Sequence, residues 1–126
     1  MPPGMRQKHP AAFLHPKCVS ELLESHAAFN EPENDRAYWF GTILSFNGSQ
    51  KLLWQVLWNN FVRGNLPIPQ QRVLSAWHGD SAHVSDLFKR HPAWKNVIVG
   101  DGRGNLWLRI PDEVLARHPV CHAQKH

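Results

Sequence analysis

The chain has 126 residues, 42% of them hydrophobic, with six tryptophans and six phenylalanines, which excludes disorder and predicts one globular domain with a single core and short tails. Two cysteines are too few for a disulfide scaffold, and no apolar run reaches membrane-spanning length. With a formal charge of +4 and no charged-then-apolar leader at the start, the sequence predicts a soluble cytoplasmic protein, compatible with a polyanionic partner and without a membrane one.

Residues 1–17 hold Arg6, Lys8 and Lys17, no acid and four prolines, and read as a flexible basic tail. Residues 18–36 hold five acids against Arg36 alone. Within them Val19, Leu22, Leu23 and His26 recur at helical spacing, which predicts a short helix over 18–29, followed by an acidic linker. "YWFGTILSF", residues 38–46, is aromatic and β-branched and reads as one strand. Asn47-Gly48 then turns the chain, and Ser49 caps a helix over 49–63 that Gly64 ends. Leu53, Trp54, Leu57, Trp58, Phe61 and Val62 form one broad face of that helix, with Leu52 and Val56 extending it. A helix so apolar is central, packed on the main core and on a second partner, the 18–29 helix.

"NLPIP", residues 65–69, is an extended link. A short helix over 70–77 turns Val73, Leu74 and Trp77 inward. After "HGD", Ser81 or Asp80 caps a third helix, "SAHVSDLFKRH", with Val84, Leu87 and Phe88 as its inner stripe and Pro92 as its stop. "AWKN" links to "NVIVGDGRGNLWLRIP", residues 96–111. A phosphate-cradling glycine loop needs a helix after its glycines. Here Asn105 to Pro111 is a second strand, and no Gly-Lys-Ser/Thr end follows. The glycines therefore shape a β-hairpin tip, with Gly102 or Gly104 at positive φ. Residues 112–126 read as a C-terminal tail.

Two short helices around a glycine-containing break, followed by a hairpin, follow the helix-turn-helix plan with a wing. Residues 37–111 would form that unit in an α/β (α+β) fold. The run Leu87-Phe88-Lys89-Arg90-His91-Pro92-Ala93-Trp94, then Val97-Ile98-Val99, the glycine tip and Leu106-Trp107-Leu108 resembles a winged-helix-like domain of uncharacterised bacterial proteins, over roughly residues 40–110. The resemblance implies a winged helix-turn-helix fold and a nucleic-acid role. In that geometry Ser81, Ser85, Lys89 and Arg90 face the DNA groove, while Arg72 and Arg103 touch phosphate. The outer face of the third helix also carries Asp86, which meets phosphates unfavourably.

Nine histidines suggest catalysis, but no Ser-His-Asp or Cys-His order and no His-Glu-x-x-His motif is present, so no catalytic site is assigned. His91 reads as a helix-end cap. Trp54, Trp58, Trp77 and Trp94 lie on apolar stripes and read as core, leaving Trp107 for a contact role. "HPKC" and "HPVC" repeat one pattern at opposite ends of the chain. His15, Cys18, His118 and Cys121, with His122 adjacent, form a zinc-type ligand set, against which stands coincidence in a chain where His-Pro is frequent. The functional expectation is a non-enzymatic duplex-DNA-binding protein, a small transcriptional regulator with no small-molecule substrate. The alternative is an interaction module that forms a homodimer or docks a protein partner through the 52–62 face without binding DNA.

Overall fold

A computed structural model of the chain describes residues 16–25, 27–77 and 83–117. The fold is mixed α+β: among these residues are five α-helices and two three-stranded antiparallel sheets. None of the helices is long and apolar enough to cross a membrane.

The first helix, α1 (Pro16–Glu24), stops sooner than its periodicity predicts. Ala28–Glu31 is a strand, β1, because its backbone pairs with β2 (Arg36–Trp39) in the register Ala28↔Trp39 to Glu31↔Arg36. A pairing partner outside the local window outweighs a helical pattern that rests on only four periodic positions. Between β1 and β2 the acidic link is one 3-10 turn, Pro32–Asn34, closed by Asp35 at φ 54. The single strand expected over 38–46 is instead the middle and end of a meander. The chain reverses at Phe40-Gly41, with Gly41 at φ +94, and β3 (Thr42–Ser45) pairs back on β2. This sheet crosses the boundary that the sequence placed at residue 36.

The central helix α2 (Gly48–Val62) is where the sequence predicts it, but its cap is Asn47 and not Ser49. The Asn47 side chain accepts from the Gln50 N–H at 2.8 Å, and the Gln50 side chain accepts from the Asn47 N–H at 3.0 Å. Glutamine three residues past an Asn makes this reciprocal box, and no such partner follows Ser49. Leu53, Trp54, Leu57 and Phe61 are buried, while Leu52 and Val62 are exposed. The inner face of β1–β2–β3 brings Trp39 against Trp54 and Phe61, at centroid distances of 6.0 and 5.1 Å. Cys18, Val19 and Leu22 of α1 join the same core.

Beyond α2, β4 (Ile68–Pro69) leads into α3 (Gln70–Leu74). The expected third helix is a single turn among the described residues, α4 (Ser85–Phe88), with Val84 at its N-cap and no side-chain cap. Asp80 and Ser81 lie outside the described residues. The strands β5 (Ile98–Gly100) and β6 (Asn105–Leu108) form the predicted hairpin, and β4 pairs on the free side of β6, giving the order β4-β6-β5. Both Gly102 and Gly104 have positive φ, +80 and +95. Trp107, read from the sequence as open to a contact role, is buried, only 4% exposed. As part of the central strand it is buried in succession with Leu106 and Leu108, so both faces of β6 are covered, where alternation predicted one open face. Residues Asp112–Arg117, expected to be tail, form α5 and bury Leu115. The Trp39 indole donates to the Arg109 carbonyl at 2.9 Å and joins the two sheets.

Candidate anion-binding groove beside the hairpin

Gln70 organises the region between the hairpin and α4. Its backbone N–H donates to the Gly104 carbonyl at 2.7 Å, which fixes the tip against the start of α3. Its side-chain oxygen accepts from the Val84 N–H at 3.0 Å, and its amide nitrogen lies 3.3 Å from His83 Nδ1. One glutamine thus holds the entry to α4 and the hairpin at a set spacing. The gap is a groove of about 700 Å³. Its floor is made by Ile98, Val99 and Leu106, and its walls include Trp94, Lys95, His83, Ser85 and Arg103.

The chemistry of this groove is cationic and aromatic. Lys95 and Arg103 are both exposed, and neither has a carboxylate ion pair among the described residues. Lys95 has φ 71, a backbone region that disfavours a side chain. It is held there because its N–H donates to the Ile98 carbonyl while Val97 and Ile98 donate to the Ala93 carbonyl. Trp94, half-buried at the groove wall, offers a flat apolar surface. At the tip, Asp101 accepts from Asn105 Nδ2 at 2.9 Å and from the Arg103 N–H at 2.7 Å. These bonds, the side chain of Asn105 first, hold the Asp101 carboxyl below its ordinary pKa. The tip therefore carries one anion, engaged by its own loop, beside Arg103, whose guanidinium has no ion pair among the described residues.

Of the residues singled out from the sequence, Ser85 and Arg103 line this groove. Arg72, Lys89 and Arg90 are exposed but do not line it. Because α4 is one turn, Lys89 is its C-cap and Arg90 already belongs to the following turn. Ser81 lies outside the described residues. His83 and Lys95 were missed as groove residues, and Trp94 was placed in the core. The available signal was a tryptophan-lysine pair in the link just before a strand that flanks a glycine tip.

The expected zinc ligands divide differently. His15, His118, Cys121 and His122 lie outside the described residues. Cys18 is fully buried and disulfide-bonded, whereas a zinc ligand must be a free thiolate. Among the described residues no group of three or more His, Cys, Asp or Glu is placed to hold a metal. His91 is not a helix cap either: its Nε2 bonds the Ser45 carbonyl of β3, and its Nδ1 accepts from the Ala93 N–H at 3.0 Å. Neither a protein-family model, nor a curated protein, nor a solved structure matches this chain.

Proposed function

We propose that the protein binds duplex DNA without chemistry, as a winged-helix unit whose hairpin is the wing and whose groove receives the phosphate backbone. The observation that carries this reading is the gathering of Lys95 and Arg103, both free of carboxylate partners among the described residues, around one groove. The element order α2-β4-α3-α4-β5-β6 and the sheet order β4-β6-β5 support the winged-helix assignment. Residues 83–109 add Lys89, Arg90 and Arg109 to these two cations, against Asp86 and Asp101. A one-turn α4, about 6 Å long, favours grip on the sugar-phosphate backbone over base reading by an inserted helix. The proposed role is therefore binding with modest sequence preference, and regulation of transcription is the biological setting that suits it.

The test is a fluorescence-anisotropy titration of a labelled duplex at several salt concentrations. Affinity falls with salt at a log–log slope of about −0.9 per neutralised phosphate. Arg103→Ala weakens binding to all duplexes alike and flattens that slope by about one unit. Absence of binding at low salt overturns the proposal. The alternative, an interaction module without DNA, draws support from the exposed Leu52 and Val62 on α2. In that case Leu52→Ser alters self-association in sedimentation while Arg103→Ala does not.

A further inference from the structure

The outer face of the β1–β2–β3 meander carries an apolar row that the proposed DNA contact does not use. The register places Phe29 opposite Tyr38, and Tyr38 opposite Ile43. Strand alternation turns Ala28, Ala37, Trp39 and Leu44 inward, so these three residues point together to the other side. Phe29 stacks on Tyr38 with centroids 5.2 Å apart and planes 15° from parallel. Phe29 is 40% exposed and Ile43 is 62% exposed. On the solvent side of an antiparallel sheet these are positions where polar residues are expected. The next row on the same face is polar: Glu31, Arg36 and Ser45, with Arg36 Nε donating to Glu31 at 2.6 Å.

Charge selects what fits this face. Glu31 is paired with Arg36, and Asp35 with Lys51 at 2.8 Å. Glu33 in the adjoining turn is exposed and has no ion pair among the described residues. With Glu31 and Asp35 neutralised, Glu33 leaves the turn end of this face negative, whereas the groove segment is basic. A second copy docking through the same patch would bring two acidic rims together, which the charge disfavours. We propose that the meander docks an amphipathic helix of a partner protein. Its leucine-type side chains cover the Phe29–Tyr38–Ile43 row, and its lysines or arginines meet Glu33 in the turn that joins β1 to β2. The apolar row anchors and the acidic rim orients. This surface shares no residue with the groove, so the inference stands independently of DNA binding.

The probe is a fluorescein-labelled helical peptide of leucine and lysine in amphipathic repeat, with a leucine–glutamate peptide of the same pattern as control. The full chain is expected to bind the lysine peptide saturably and the glutamate peptide at least roughly tenfold more weakly. Ile43→Ser and Phe29→Ser each weaken binding of the lysine peptide by roughly tenfold or more, as loss of a central apolar anchor does. Glu33→Gln weakens it at low salt only, and Arg103→Ala leaves it unchanged. Circular dichroism and thermal melts confirm folding; because Ile43 is the more exposed, Ile43→Ser decides the matter if Phe29→Ser unfolds. Equal binding of both peptides, or binding unaffected by Ile43→Ser in a folded chain, overturns the proposal. So does a concentration-dependent dimer that Ile43→Ser dissociates, since the occupant would then be a second copy.

Discussion

The imidazole of His91 lies flat on the ring of Phe46, with centroids 5.1 Å apart and planes 9° from parallel. Its Nδ1 accepts from the Ala93 N–H, so the ring hydrogen sits on Nε2 and is donated to the Ser45 carbonyl at the edge of β3. One side chain thereby joins the end of the first sheet to the turn that leads into the hairpin. His91→Phe keeps the stack and loses both hydrogen bonds, and should cost about 1–3 kcal/mol in urea denaturation. His91→Ala also loses the packing and should cost more. An unchanged midpoint for both variants would remove the cross-link from the account.

Lys95 separates stability from binding. Its φ of 71 is a conformation that glycine adopts without strain. Lys95→Gly should therefore be neutral or stabilising, by up to about 1 kcal/mol, whereas Lys95→Ala keeps the strain. Both variants remove a groove cation and should weaken duplex binding alike. Denaturation and titration on the same two proteins give both readouts, and a DNA affinity that follows stability would contradict the role of the charge.

Asp101 gives the hairpin an acid limit. Its folded-state pKa is lowered by the Asn105 side chain and the Arg103 N–H, so folding favours the carboxylate. The stabilisation is complete above the ordinary carboxylate pKa and is lost as pH falls through the lowered folded value. Asp101→Asn keeps an acceptor oxygen but does not titrate. The stability difference between wild type and this variant should therefore shrink with falling pH. At neutral pH the variant should bind DNA more tightly, because one anion has left the tip. A constant difference across the acid range would show that the carboxylate is not engaged.

Gly104 tests the hairpin tip by conformation alone. A Cβ there would meet nothing nearer than Gln70 Nε2 at 4.0 Å, yet φ is +95. Gly104→Ala should cost roughly 1–3 kcal/mol through backbone strain and shift the tip relative to Gln70. Loss of DNA affinity larger than that of Arg103→Ala would mean that the shape of the tip, as well as its charge, is recognised.

The two chemistries open to the cysteines respond to different reagents. With Cys18 disulfide-bonded in the core of α1, a reductant should lower stability by about 2–4 kcal/mol. Chelation of metal should leave the thermal midpoint in place. A midpoint lowered by chelator and indifferent to reductant would restore the zinc reading of the paired His-Pro-x-Cys segments.

The helix α2 and the hairpin were legible in the sequence because their signals are local. Apolar spacing sets a helix face within one element, and a tip that needs positive φ selects glycine at Gly102 and Gly104. Arg103 could be placed at the candidate site from the hairpin alone. Pairing was not legible. Ala28 and Phe29 end a helical pattern in sequence and become part of a strand only because Arg36–Trp39 lies beside them. Trp107 alternates like a half-exposed strand residue, yet its strand is central, between β4 and β5. Trp94, Lys95 and His83 are unremarkable in their own neighbourhoods and become one groove only when Gln70 draws α4 and the hairpin together. Periodicity and φ preference are properties of a few consecutive residues. Which strand edge finds a partner, and which cations end up side by side, depends on contacts between distant segments, and those were decided by the tertiary structure.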